Sequence, residues 1–190
     1  LRLQGEDLEL LSIELDEQPL TAAQFATDAS GLRLFNPPER FRLATRVRIK
    51  PSENTRFEGL YQSGTFLLTQ CEAEGFRRIT YFLDRPDVMS RYRVTLEAQR
   101  ARFPVLLGNG NRVAEGSLPD GRHWARWPPL PPPAPAPTLR AQMAAAATAP
   151  SSPCCCAWLL GPAAVASRRR RRRRAPTASL PPPPPPPKLA

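Results

Sequence analysis

The chain changes character at a single point, and that point limits what can fold. Of its 25 prolines, 18 lie beyond Trp127, and residues 128–190 hold nine of the 27 basic residues and none of the 17 acids. This stretch runs through PPLPPPAPAP, an alanine-rich piece, Cys154-Cys155-Cys156, the arginine run Arg168–Arg174 and the proline run Pro181–Pro187. Proline fixes φ and removes a backbone donor, and adjacent arginines repel one another. Such a composition buries too little apolar surface to offset its chain entropy. A disordered Pro/Ala/Arg-rich tail is therefore expected over 128–190, with polyproline II at Pro181–Pro187. The net charge of +10 belongs to the tail, since residues 1–127 are close to neutral.

Residues 1–127 read as strands. In FRLATRVRIK, Phe41, Leu43, Thr45, Val47 and Ile49 fall on one face, and Arg42, Arg46, Arg48 and Lys50 on the other. YRVTLEAQ repeats the pattern, with Tyr92, Val94, Leu96 and Ala98 inward. Period two with one charged face marks a half-buried antiparallel strand. LELLSIELDEQPL, residues 8–20, shifts its apolar phase at Leu10–Leu11, which predicts a bulge or burial on both sides. Turn signals stand at Asn36-Pro37-Pro38, Asn109-Gly110 and Pro119-Asp120-Gly121, the last between two strand-like runs. An all-β sandwich or barrel follows. The one stretch compatible with a helix is 75–83, ahead of Pro86.

The residues exclude several chemistries. His123 is the sole histidine, so an H-E-x-x-H zinc helix cannot form. No serine stands in a G-x-S-x-G elbow, and neither Lys50 nor Lys188 follows a phosphate-binding glycine loop. His123 reads as a strand side chain beside Trp124 and Trp127. Cys71 reads as a small buried hydrophobe, with no histidine partner in view. The four cysteines form no disulfide framework, which favours a reducing compartment. No uninterrupted apolar run reaches the roughly 20 residues of a membrane-spanning helix, because Pro162 breaks the stretch 154–166.

The most unusual segment is TQCEAEGFRRITYFLDRPDV, residues 69–88. In a strand, Glu72 and Glu74 would share a face and favour a cation between them. Pairing of both with Arg77 and Arg78 is the simpler alternative, and residue types alone favour it.

The run EGLYQSGTFLLTQCEAEGFRRITYFLDRPDVMSRYRVTLEAQ resembles the amino-terminal domain of the aminopeptidase N family, bacterial and plastid type, whose members are gluzincin zinc exopeptidases. LRLQGEDLELLSIELDEQPL and FPVLLGNGNRVAEGSLPDGRHWARW continue the likeness, so that it covers residues 1–127. The resemblance implies a saddle-like antiparallel β domain lying over a thermolysin-like catalytic domain. It also implies a role for Q-x-E: by matching position Glu72 holds the substrate α-amine and Gln70 borders the pocket for the first side chain. An ammonium is well held by a carboxylate in a partly desolvated cleft.

Beyond Trp127 the family pattern stops. The G-A-M-E-N and H-E-x-x-H motifs, which would supply the zinc ligands and general base, are absent from the sequence. The expectation is a fragment of a metalloaminopeptidase in which zinc belongs to the parent enzyme. On this reading the chain itself has no catalytic residue, no metal ligand and no hydrolytic activity. Residues 128–190 are expected to be foreign to the family, the product of a shifted reading frame or retained intron in GC-rich DNA. A competing reading makes the chain a basic adaptor, with Arg168–Arg174 binding nucleic acid or anionic membrane and the proline run serving SH3- or WW-type domains. The family likeness and the reducing compartment point to a cytoplasmic or plastid location. With its last strands missing, the domain is expected to expose sheet edges and apolar surface.

Overall fold

A computed structural model describes residues 1–128 and the backbone of 134–135 and 141–144. The described residues are all-β. The first sheet is ordered β1 (Arg2–Gln4), β5 (Gly31–Leu34), β4 (Phe25–Asp28). The second joins β3 (Gln18–Pro19), β2 (Glu9–Leu15) and β6 (Leu43–Arg48). Antiparallel β7 (Gly59–Ser63) and β8 (Phe66–Gln70) lead into the segment bearing the candidate residues. After β9 (Met89–Ser90), β10 (Val94–Gln99) pairs with β13 (Arg122–Trp127), which also pairs with β12 (Ala114–Ser117). β11 (Val105–Gly108) belongs to the sheet of β7 and β8.

The alternation is realised as the sequence implies. Phe41, Val47 and Ile49 are buried while Arg42, Arg46, Arg48 and Lys50 are exposed. Val94, Leu96 and Ala98 likewise point inward from β10. The phase shift in β2 is a bulge: its register against β6 slips between Leu10 and Ser12. Pro119-Asp120-Gly121 turns β12 into β13, with Gly121 at φ +78°. Residues 75–83 do not form the expected α-helix. They hold one 3₁₀ turn, Phe76–Arg78, after which the side chains part between two cores, Ile79 and Phe82 to one and Tyr81 and Leu83 to the other.

One core gathers Leu60, Leu67, Cys71, Phe76, Ile79, Leu96, Leu106 and Trp127. The other gathers Leu3, Ile13, Leu32, Leu34, Val47 and Tyr81. Segment 76–84 bridges them. Phe76 and Ile79 enter the first and Tyr81 the second, while the Phe82 backbone exchanges hydrogen bonds with Gln4 at 2.8 and 3.0 Å.

Two segments beyond Trp127 are strands. β14 (Ala134–Pro135) pairs with β9. β15 (Ala141–Ala144) lies between β11 and β8, giving the order β11-β15-β8-β7. At these positions the chain is paired backbone rather than the unstructured tail expected. The arginine run Arg168–Arg174, the cysteines 154–156 and the prolines 181–187 lie outside the described residues, as do the partners expected of them.

Candidate functional site

Gln70 is the last residue of β8 and Glu72 lies two residues on. Side chains directly opposite in a sheet share a face. Gln70 therefore shares the outer face of this sheet with Leu68 and Phe66 on β8, Tyr61 on β7, and Val105 and Leu107 on β11. Leu60, Leu67 and Leu106 occupy the inner face and are almost wholly buried. The outer face is apolar and open: Phe66, Val105 and Leu107 are 42–50% exposed, and Phe57 stands edge-on to Tyr61. The exposed apolar surface expected of the domain is present.

After Gln70 the chain leaves the strand. Cys71 is buried, residues 72–75 form a turn, and the Gly75 amide donates to the Cys71 carbonyl at 3.0 Å. The peptide between Glu72 and Ala73 is cis. Because the strand ends at Gln70 and residues 72–75 turn, Glu72 and Glu74 do not face one way from an extended strand, and the shared-face expectation fails. The two acids have different surroundings. Glu74 is taken by Arg77, whose Nη2 donates to Oε2 at 2.6 Å. Arg78 is buried and pairs with Glu6 at 2.5 Å, with Asp7, and with Glu58 at 3.3 Å. Both arginines are thus committed elsewhere. Glu72 is exposed, with no ion pair or hydrogen bond among the described residues. The pairing of both acids with Arg77 and Arg78 holds for Glu74 alone.

The base of the turn is fixed by Asp84, a residue that sequence reasoning passed over. It is fully buried, and its Oδ2 accepts from the Arg77 amide at 2.9 Å and from Arg77 Nε at 3.1 Å. Its own amide donates to Gln4 Oε1 at 3.0 Å. An acid between an apolar run and Arg85-Pro86 carries no mark of burial, so only the packing shows it. Desolvation lowers the Arg77 pKa, but the bonds and charges of Asp84 and Glu74 outweigh it and the net shift is upward. His123 is a buried strand residue, as its sequence setting implies, and its Nε2 lies 2.7 Å from the Phe103 carbonyl oxygen.

Burial, and secondarily the charge of Asp84, push the Cys71 thiol up to about 12. Burial likewise pushes the Tyr92 phenol up to about 12. Each group ionises more easily in the unfolded chain than in the folded one. Their contribution is therefore full below the unfolded values of 9.0 and 10.0 and is lost as pH rises toward 12. The melting temperature should hold steady from pH 7 to about 8.5 and then fall, less steeply in Cys71→Ala, with the unfolded pKa as reference. A flat profile to pH 11 would contradict both shifts. Cys71 should also resist iodoacetamide in the native chain.

The peptidase M1 N-terminal domain family matches residues 35–134. Aminopeptidase N of Escherichia coli (strain K12) is 52% identical over 134 residues, which are 70% of this chain and 15% of that protein. Aminopeptidase N of Caulobacter vibrioides is 54% identical over 135 residues, 70% of this chain and 16% of its own length. The chain thus spans under a fifth of the curated relatives it matches. The crystal structure of Legionella pneumophila aminopeptidase A in complex with aspartic acid superposes with a TM-score of 0.71 at 30% identity, over 76% of this chain and 17% of that one. An M1 zinc metallopeptidase from Deinococcus radiodurans has the same fold, with a TM-score of 0.61 at 13% identity, over 76% of this chain and 34% of that one. On these matches the chain belongs to the peptidase M1 family and carries a stretch of its N-terminal domain.

Proposed function

We propose that this chain is the amine-recognising part of a zinc aminopeptidase that removes residues from peptide amino termini. One observation carries the reading. Among the described residues, Glu72 has no ion-pair partner at the surface, while Glu74, Arg77 and Arg78 are tied into the fold. An unengaged carboxylate on a braced turn is ready to take a substrate ammonium without first breaking an ion pair. Gln70 sits beside it at the end of the open apolar face and would border the first side chain. That face would lie against the catalytic domain of a longer enzyme.

Among the described residues no group of three or more His, Cys, Asp or Glu is placed to hold a metal. The described residues do not fit zinc, and no step through the metal is assigned to them. On this reading the ligands lie in the parent enzyme and the chain alone does not hydrolyse peptides. A cytoplasmic or plastid location is part of the same proposal.

The test replaces the matching segment of the Escherichia coli enzyme with residues 1–127 of this chain. The isolated chain should release no dye from an alanyl anilide with added zinc, whereas the chimera should. Loss of a charge-assisted hydrogen bond is worth about 1.5–3 kcal/mol, so Glu72→Gln in the chimera should lower kcat/KM roughly 10- to 100-fold. Gln70→Ala should change the preference among first residues more than the overall rate. An active chimera indifferent to Glu72→Gln would overturn the assignment.

A further inference from the structure

We propose that the gap between β8 and β11 is a strand-acceptor slot, and that a second copy of this chain can fill it with its own residues 141–144. The sheet order makes the case. β15 runs antiparallel to both neighbours, with Gln142 opposite Leu68 on β8 and opposite Leu107 on β11. β8 and β11 therefore run parallel to each other, and the inserted strand satisfies an edge of each. Left empty, the slot would present two unpaired rows of amides and carbonyls inside one sheet.

The strand that fills it is weakly tied to its own copy. It lies beyond residue 134, where the family match ends. Its sequence, AQMA, offers a single large apolar residue, Met143 opposite Leu67 and Leu106, so little besides backbone pairing fixes its register or its choice of slot. Thirteen residues, 128–140, separate it from the end of β13. Extended, that connector reaches about 40 Å at ~3.3 Å per residue. Among the described residues of that connector, the pairing is the two-residue β14, in which Pro135 donates no hydrogen bond. Every bond made within one copy is equally available from another, and each copy carries both slot and strand. These are the conditions for strand exchange.

The test uses the full chain with Cys154, Cys155 and Cys156 changed to Ser. One copy carries Leu68→Cys, and a differently tagged copy carries Gln142→Cys. Directly opposed antiparallel residues lie about 4.5–5.5 Å apart between Cα atoms, within the range a disulfide spans. The two are unfolded together, refolded at high concentration and oxidised. A covalent heterodimer with a 68–142 cross-linked peptide is expected. In the otherwise unaltered chain, dimer measured by light scattering should grow with concentration and vanish in Gln142→Pro. A cross-link that forms within a Leu68→Cys/Gln142→Cys double variant but never between copies overturns the exchange. No cross-link in either arrangement overturns the slot itself.

Discussion

Replacing Asp84 by alanine should cost about 3 kcal/mol, the usual loss when one partner of a buried ion pair is removed. For a domain of this size that is a fall in Tm of roughly 10 °C. The carboxylate is fully buried, so no water can replace it easily. Its removal leaves the Arg77 amide without its acceptor and strips Arg77 Nε of its closest anion. Arg77 keeps Glu74 at 2.6 Å and Glu6 at 3.8 Å, but these are partly exposed and compensate little. Asp84→Asn separates charge from shape. The amide oxygen can still accept from the Arg77 backbone, so the loss should be about half as large. If Asp84→Ala melts within 2 °C of the parent chain, the buried pair does not brace the turn.

Much of the fold is legible along the chain because each rule acts within a few residues. The arginines of β6 alternate with apolar residues, and no other period buries Phe41, Val47 and Ile49 together. The slip at Leu11 is legible because a single extra residue inverts the faces on either side. Asp84 and Arg78 are not legible. Arg78 meets Glu6 and Asp7 across some 70 residues, and sequence spacing contains no trace of that contact. β15 is not legible either, since its conformation comes from the two edges that receive it. The site divides the same way. Gln70 and Glu72 stand out only through family resemblance, while the difference between Glu72 and Glu74 depends on where Arg77 and Arg78 are already engaged.

Gly59→Ala should be among the most damaging substitutions near the site. Gly59 begins β7 at φ +71°, where an L-residue pays about 1–2 kcal/mol. A Cβ there would also lie 2.6 Å from Arg78 Cβ and 3.2 Å from the Gly75 carbonyl oxygen. Neither neighbour is the free end of a flexible chain, so the strand or the turn must move, adding an overpacking cost of about 1–3 kcal/mol. Gly64 supplies the internal control. Its φ of +57° is similar, but a Cβ there meets nothing within 4 Å. Gly64→Ala should therefore show the conformational cost alone. The difference between the two variants isolates the close packing of β7 against the turn that follows Gln70. In the chimera, Gly59→Ala should weaken substrate binding as well as lower Tm, because the displaced turn carries Glu72. Gly64→Ala should leave KM unchanged. Equal losses of Tm in the two variants would mean that the contact between Gly59 and the turn adds nothing to backbone strain.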